Sequence, residues 1–438
     1  MTHPNPIHWF RHSAPYINTH RGKIFVIMFG GEAVAHANFE SLIHDFALLH
    51  SLGIRLVLVH GARPQIDAAL RTAGIDTAPM ATHGTQHVRV TPTAAMPHIL
   101  AAVGAIRLQI EAHLSTGLAN SPMFGSRISV VSGNFITAKP YGIHDGIDYQ
   151  MTGQVRRVDA AAMRHNLERG HIITLGTMGV SATGEAFNLL AEDVALQAAI
   201  ALQADKLILL GGSELNDTGT LIRELTTDSA NQLLQRTPAA LTDELARFVR
   251  TAIKASTHVE RTHLLPYTKD GALITELFTL DGAGTMITKT AFDQIRPATT
   301  DDVVGLLALL KPLQEQGILI WRSQARLEED IEHYSVIERD GAIIGCVALH
   351  PLDSTAAELA SLAIHPAYRS GSRGEDLLRF VQMRAKQLGV SRLFALTTHT
   401  AHWFLEHGFA EVDFTALPDT RQERYHNGRK SKVLLKYL

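Results

Sequence analysis

The order of elements between residues 358 and 409 restricts the fold of this 438-residue chain more than any other stretch. Residues 358–364 form an apolar-rich run that stops at His365-Pro366, and this pattern predicts a strand ending at the proline. The small, basic loop 369–374 comes next, followed by apolar residues at helical spacing. Unpaired backbone N–H groups and the positive end of a helix dipole meet at such a junction. The stretch therefore predicts an anion-binding site.

A second apolar strand, residues 392–396, and a short helix ending at Gly408-Phe409 complete this pattern. Arg369, Gly374 and Gly408-Phe409 match the Q/R-x-x-G-x-G/A loop and the Gly-Phe helix end of the GNAT acetyltransferases, which the chain resembles here. Ser372 stands where that family usually has glycine, so the loop keeps its N–H groups but turns left-handed less readily. The alternative is an ordinary βαβ unit with a small basic loop, and the full order of elements favours the acetyltransferase.

Composition excludes several other classes of protein. The length predicts two or three domains. With 45% apolar residues, 19% charged residues and a net charge of −3, the chain lacks the basic excess typical of nucleic-acid binding. It contains no apolar run long enough to span a membrane and no secretory signal pattern. One cysteine, Cys346, fits a reducing cytoplasm, and the 24 histidines are scattered, so no metal site is expected.

The first two thirds of the chain repeat a strand, a glycine turn and a helix. Residues 23–29 precede Gly30-Gly31, and residues 54–59 precede His60-Gly61-Ala62. Strands that alternate with helices in this way predict a mostly parallel sheet with ligands at the carboxyl ends of its strands. Further strands of this kind are expected at residues 128–132, 171–175 and 206–210.

This part of the chain resembles the amino-acid kinase family, and acetylglutamate kinase in particular. The matching motifs are Gly30-Gly31, Val59-His60-Gly61, Arg89-Val90-Thr91, Phe187-Asn188 with Glu192-Asp193, and the run Lys206 to Leu210. The family's lysine before the first glycine pair is Met28 here, and a thioether cannot neutralise a phosphoryl group. Gly211-Gly212 replaces the family's Thr-Asp pair, and Arg63 would crowd a triphosphate. The matching motifs predict an open, mostly parallel sheet of the amino-acid kinase type. The departures predict that this domain transfers no phosphate.

The last segment of this domain resembles the arginine-binding segment of arginine-sensitive acetylglutamate kinases. The resemblance implies that Glu276 binds the guanidinium of L-arginine and that the glycine turn with Gly282, Gly284 and Thr285 binds its carboxylate. The alternative is a plain β-turn between two strands with Glu276 in solvent.

Three ranges follow from these resemblances: a kinase-like regulatory domain (residues 1–285), a linker (286–294) and a smaller mixed α/β GNAT domain (295–438). Together they resemble the bacterial N-acetylglutamate synthases, which implies acetyl transfer from acetyl-CoA to L-glutamate, the first step of arginine biosynthesis, with L-arginine as inhibitor. Acetyl-CoA is then a co-substrate, and no separate cofactor is expected. The resemblance also implies a homohexamer in which residues 7–20 interlace subunits. Two alternatives are a kinase with an accessory acetyltransferase and a non-catalytic arginine sensor.

Glu358 is the expected catalytic base, because it is the carboxylate inside the apolar run that meets the thioester. The alternative is a solvated glutamate at a strand edge. The leaving thiolate has no evident acid: Phe404 stands at the usual tyrosine position, and Thr397, His402 or water remain open. The residues expected at acetyl-CoA are Leu362, Ala363, Ile364, Arg369, Ser370, Gly371, Ser372, Arg373, Gly374 and Thr397.

Cations are expected to bind the two carboxylates of glutamate, since guanidinium groups bind carboxylates bidentately. Arg421, Arg429 and Ser431 of the basic tail match the family's glutamate-binding positions. Arg322 is the fourth candidate, because relatives have two consecutive arginines where this chain has Trp321-Arg322. A merely solvated basic tail is the alternative.

Overall fold

The protein is described by a computed structural model, which covers residues 6–75, 81–83, 86–117, 120–217, 219–236, 241–279, 282–289, 293–339, 341–369, 373–423 and 431–438. It divides into two compact units, residues 1–290 and 291–438. Residues 286–288 of the expected linker continue a strand that begins at Thr285 and belongs to the sheet of the first unit. The first unit therefore reaches further along the chain than residue 285.

The strands of the first unit are β1 (Ile24–Phe29), β2 (Arg55–His60), β3 (Ala81–His83), β4 (Gln86–Val88), β5 (Ser129–Val131), β6 (Ile136–Pro140), β7 (Ile143–His144), β8 (Ile147–Asp148), β9 (Gly153–Val158), β10 (His171–Leu175), β11 (Met178–Val180), β12 (Ala186–Asn188), β13 (Lys206–Gly211), β14 (Asn216–Asp217), β15 (Thr220–Leu221), β16 (Glu224–Thr226), β17 (Arg261–Pro266) and β18 (Thr285–Thr288). Its helices are α1 (Pro6–His20), α2 (Gly31–Val34), α3 (Phe39–Ser51), α4 (Arg63–Thr72), α5 (Met96–Leu114), α6 (Ala160–Glu168), α7 (Ala191–Leu202), α8 (Thr227–Arg236), α9 (Asp243–Ala255) and α10 (Ala272–Phe278).

Eight of these strands form one sheet in the order β16-β18-β17-β13-β1-β2-β10-β5. Its central strands are parallel, and only the β17–β18 pair among its described pairs is antiparallel. Helices cover both faces, which explains why β1 and β13 are apolar and buried along nearly their whole length. The expected open, mostly parallel sheet is confirmed.

Helices α5 and α1 of the first unit both pack against other parts of that unit. Among the described helices, α5 with its preceding turn has the length and apolar composition of a membrane span, but its Ile99, Ile106 and Ile110 are buried in the core. Helix α1 packs on α10 of its own chain through Ser13 and His20, which hydrogen-bond the carbonyls of Phe278 and Leu277.

The second unit contains strands β19 (Gln294–Pro297), β20 (Tyr334–Arg339), β21 (Ala342–Pro351), β22 (Ala356–Ile364), β23 (Arg392–Thr397), β24 (Ala410–Val412) and β25 (Lys432–Tyr437). Its helices are α11 (Val303–Glu315), α12 (Gln324–Glu329), α13 (Arg373–Gln387), α14 (Ala401–Glu406) and α15 (Asp419–Gln422). Seven strands form one sheet in the order β19-β20-β21-β22-β23-β25-β24. Within it β22 and β23 are parallel, while their outer neighbours are antiparallel.

Candidate active and regulatory sites

Strands β22 and β23 separate at the centre of the second unit. Their parallel pairing ends at Leu359 opposite Ala395, although β22 continues to Ile364 and β23 to Thr397. One backbone edge of β22 beyond Leu359 is thus open to an extended ligand, which can pair with it as an added strand would. The expected acetyl-CoA residues Leu362, Ala363 and Ile364 all lie on this part of β22.

A backbone irregularity marks the same part of β22. The ladder between β21 and β22 shifts register between Cys346 and Ala348, and Ser361 adopts a left-handed conformation with φ of 52°. The Tyr334 hydroxyl lies 3.3 Å from the Ser361 hydroxyl, and the Cys346 thiol lies 3.3 Å from the Ser361 carbonyl oxygen. A serine held at positive φ by buried neighbours re-aims the strand immediately before Leu362.

Glu358 lies at the point where the two strands begin to part, and its side chain is largely buried. Arg421 of α15 donates to it from Nε at 2.5 Å and from Nη2 at 3.1 Å. The side chains are 13% and 15% exposed, so the pair lies mostly out of solvent. The solvated-glutamate alternative is therefore wrong. The structure also pairs the expected base with an arginine that was expected to bind the substrate.

Arg322 lies in the same neighbourhood, since His350 is the register partner of Glu358 on β21. The Arg322 guanidinium contacts Asp330 at 3.2 Å and the His350 imidazole at 3.3 Å. Burial, followed by the positive charge of Arg322, lowers the pKa of His350 to about 4, so this ring is neutral near pH 7. Sequence reasoning missed both partners, because neither Asp330 nor His350 stands in a recognisable motif.

The expected phosphate loop is partly described. Helix α13 begins at Arg373, so the N–H groups of Arg373 and Gly374 belong to its first turn. The Arg373 side chain binds Asp293 at 2.6 Å, and Arg369 donates to the Ile364 carbonyl at 3.3 Å. Ser370, Gly371 and Ser372 lie outside the described residues.

The candidates for the leaving-group acid differ in their surroundings. Thr397 ends β23 beside the opening, and its hydroxyl lies 2.8 Å from that of Thr400. The His402 side chain is 93% exposed and lies near Glu406. Phe404 is buried against Phe409, 5.1 Å between ring centroids. Burial and position favour Thr397 over His402.

The two remaining residues expected at the substrate, Arg429 and Ser431, belong to the basic tail. Ser431 immediately precedes β25, and Arg429 lies outside the described residues.

The regulatory candidate Glu276 is buried in the first unit, and its carboxylate has three hydrogen-bond partners. It lies 2.6 Å from His263 Nδ1 and accepts from the backbone N–H groups of Ala283 at 2.6 Å and Gly284 at 2.9 Å. Burial opposes ionisation, but these hydrogen bonds and His263 outweigh it and lower the pKa of Glu276 to about 2. The solvated-glutamate alternative is wrong here too.

The glycine turn differs from the expected arrangement because Glu276 already occupies its N–H groups. Gly282 has φ of 63°, which glycine adopts without strain. The Thr285 hydroxyl is fully buried and donates to the Ile222 carbonyl at 2.5 Å, so in this state it does not face a ligand. His263, missed in the sequence as a site residue, also contacts Lys206 at 3.3 Å. A histidine inside an otherwise apolar strand was the available signal.

Comparisons with known proteins agree with this architecture. Residues 23–264 match the Amino acid kinase family, and residues 302–409 match the Acetyltransferase (GNAT) family. The amino-acid acetyltransferases of Azotobacter vinelandii and Pseudomonas putida are 49% and 48% identical to this chain, and each alignment covers 99% of it and at least 99% of the relative.

Solved structures of N-acetylglutamate synthase from Neisseria gonorrhoeae are also similar over 99% of both chains. The complex with coenzyme A and L-arginine has a TM-score of 0.86 at 35% identity. The complex with coenzyme A and N-acetyl-glutamate has a TM-score of 0.62 at 37% identity.

The fold and the opening between β22 and β23 define an acyltransferase of the GNAT type that carries an amino-acid-kinase-type domain. Near 48% identity over the full length then places the chain more narrowly. The chain belongs to the amino-acid acetyltransferase family.

Proposed function

We propose that this enzyme transfers the acetyl group of acetyl-CoA to the α-amine of L-glutamate, giving N-acetyl-L-glutamate and coenzyme A. The ion pair between Glu358 and Arg421, beside the opening of β22 and β23, is the observation that carries the proposal. In this proposal Glu358 is the base and Arg421 is the carboxylate-binding group, next to the expected position of the thioester. The Neisseria gonorrhoeae synthase, solved with coenzyme A and N-acetyl-glutamate, supports this choice of substrate.

The co-substrate enters the opening along β22. Backbone N–H groups near Leu362 and Ala363 polarise the thioester carbonyl, and the loop of residues 369–374 with the first turn of α13 binds the phosphates. The left-handed Ser361 fixes the direction of the strand at this point.

In this mechanism a carboxylate of the substrate replaces Glu358 as the partner of Arg421. When a glutamate carboxylate binds the Arg421 guanidinium, Glu358 loses its ion pair and becomes free to accept a proton from the substrate ammonium. The neutral amine nitrogen then attacks the thioester carbon, and the carbon–sulfur bond breaks. The nitrogen releases its second proton to water, and the thiolate takes a proton from water or from Thr397, which water then reprotonates. The two substrate carboxylates are also bound by Arg322, Arg429 and Ser431.

L-arginine acts at the other site. Its guanidinium binds Glu276, and its carboxylate binds N–H groups of the turn with Gly282, Gly284 and Thr285. In the described state Glu276 holds the N–H groups of residues 283 and 284, so arginine must take over part of this hydrogen-bonding set. Binding therefore rearranges the turn, which is a physical basis for inhibition.

Release of free thiol from acetyl-CoA tests the reaction directly. We expect release only when L-glutamate is present and a lower rate when L-arginine is added. The proposal is contradicted if thiol is released at the same rate without an acceptor amino acid, or with any amino acid in place of L-glutamate. Phosphate transfer from ATP to N-acetylglutamate would restore the kinase alternative, against which Met28 argues.

The assembly and compartment belong to the same proposal. We place the enzyme in the cytoplasm, where a buried thiol such as Cys346 stays reduced. We also propose a homohexamer built with the N-terminal helix α1, whose Ile7 and Phe10 are 61% and 64% exposed. Light scattering of the full chain against a variant lacking residues 1–20 tests this assembly.

A further inference from the structure

A cleft lies at the carboxyl ends of β1 and β2 in the first unit. Two glycine turns form its floor, and they approach so closely that a Cβ on Gly61 would lie 3.2 Å from the Cα of Gly30. Met28, also on the floor, is 2% exposed. The cleft thus persists although the lysine required for phosphoryl transfer is absent.

Arg63 follows the second glycine turn as the first residue of α4 and lines the cleft half-buried. Two other arginines line the cleft as well. Arg247 pairs with Glu192 at 2.7 Å, and Arg89 pairs with Asp67. Arg63, by contrast, makes no hydrogen bond or ion pair with any residue in the described ranges. A half-buried guanidinium without such a partner is an anion-binding group.

Glu32 follows the first glycine turn in α2 and lines the same cleft. It too makes no hydrogen bond or ion pair within the described part of the chain. Its charge is nevertheless felt by Arg63: burial and then Arg247 lower the pKa of Arg63, while Glu192 and Glu32 raise it. Two opposite charges therefore face one cleft without pairing with each other.

Thr177 supplies a polar group deeper in the cleft. The residue is 5% exposed, and its hydroxyl has no hydrogen-bond partner among the described residues. Buried hydroxyl groups without a partner are uncommon, because desolvation is then uncompensated.

We propose that this cleft binds a free α-amino acid, with the α-carboxylate on Arg63, the α-ammonium on Glu32 and Thr177 as a further hydrogen-bond partner. The zwitterionic end of an α-amino acid carries a carboxylate that can pair with Arg63 and an ammonium group that can pair with Glu32. A triphosphate fits poorly because Arg89 and Arg247 already pair with Asp67 and Glu192, so that mainly Arg63 is left to offset its charge, while Glu32 and Glu244 line the same cleft and would repel it. An N-acylated amino acid lacks the ammonium group and leaves Glu32 unpaired. The residues that line the cleft include neither Glu276 nor any residue proposed to take part in acetyl transfer.

Thermal unfolding of the full chain with each proteinogenic L-amino acid tests the proposal. We expect at least one amino acid to raise the Tm of the wild-type chain, with ATP and the N-acetyl derivative of that amino acid inactive. The rise should persist in Glu276→Ala and Arg421→Ala chains, which lack the proposed regulatory and substrate contacts. Arg63→Gln and Glu32→Gln should each weaken binding about tenfold or more by calorimetric titration, since each loses a charged hydrogen bond.

Arg71→Gln, on the exposed side of the same helix, and Glu40→Gln, on the surface of α3, are matched controls that should bind normally. Arg63→Lys keeps the positive charge but loses the bidentate geometry, so its affinity for the amino acid should lie between those of Arg63→Gln and the wild type. Such an intermediate affinity shows that Arg63→Gln loses a contact and does not simply unfold. The proposal is overturned if no amino acid raises the Tm, if every rise disappears in the Glu276→Ala or Arg421→Ala chain, or if the N-acetyl derivative binds as tightly as the free amino acid.

Discussion

The proposed acetyl-transfer site and the proposed arginine site each contain one largely buried glutamate, and the partners of these two glutamates differ. Among the described residues, the side chain that holds Glu358 is that of Arg421. Glu276 is held by His263 and by two backbone N–H groups of a tight turn. A guanidinium can change partners by a rotation of side chains, whereas losing backbone partners disturbs the turn itself. The first arrangement suits an exchange in every catalytic cycle, and the second suits a conformational signal.

The largest expected effect comes from Glu358→Gln. An amide keeps a hydrogen bond to Arg421 but cannot accept the proton, so we expect kcat to fall by roughly 10²–10⁴-fold. Acetyl-CoA affinity, measured by calorimetry, should stay unchanged. Glu411→Gln, which changes a surface glutamate of the same unit, is the control. An unchanged kcat removes Glu358 from the role of base.

Arg421→Lys probes the exchange of partners itself. Lysine keeps the charge but loses bidentate geometry, so we expect KM for L-glutamate to rise roughly 10–100-fold with a smaller change in kcat. Initial-rate kinetics at saturating acetyl-CoA measure the two constants separately. Arg379→Lys, on the exposed face of α13, should behave as wild type. A fall in kcat alone would mean that Arg421 serves the base and never the substrate.

Glu276→Ala tests whether the backbone-held glutamate carries the signal. We expect inhibition by L-arginine to disappear and the free energy of unfolding to fall by about 2 kcal/mol, since two buried N–H groups lose their acceptor. Rates with and without arginine and denaturant titrations measure the two effects. Glu260→Ala, at an exposed position, is the control. Wild-type arginine sensitivity would rule out this arginine pocket.

The arginine site should also contribute an acid-sensitive term to stability. The pKa of Glu276 is about 2 in the folded chain and near 4.3 when unfolded, so its contribution is present above pH 4.3 and is lost as pH falls towards 2. Glu276→Gln should therefore flatten the fall in unfolding free energy across that range. Chemical denaturation at stepped pH measures this slope, and an identical slope in both chains would contradict the assignment.

The smallest expected effect concerns the leaving thiolate. Thr397→Val removes a hydroxyl at the end of β23, and we expect kcat to fall about tenfold with KM for acetyl-CoA little changed. His402→Ala should leave kcat unchanged because that ring is 93% exposed. The reverse result would make His402 the proton donor.

The residues that sequence reasoning placed well are those whose motif is local. Residues around Gly408-Phe409 and the strand–loop–helix order before them fix a short stretch of backbone, which the α13 and α14 boundaries reproduce. Arg421 and Glu358 were both singled out from the sequence, but their pairing was not predicted, because the two residues are 63 positions apart. Likewise Asp293 was missed as the partner of Arg373, 80 positions away.

The sequence alone determined the two folds and the methionine that replaces the phosphate-transfer lysine at position 28, since periodicity, glycine turns and residue chemistry are properties of short segments. It also singled out Glu276 and Glu358 as candidate site residues. Only the tertiary structure decided which charges pair. Glu358 meets Arg421, Glu276 closes the turn at residues 283–284, and Arg63 stays without a partner in the described ranges. Pairing depends on where distant segments meet in space, and no local pattern carries that distance.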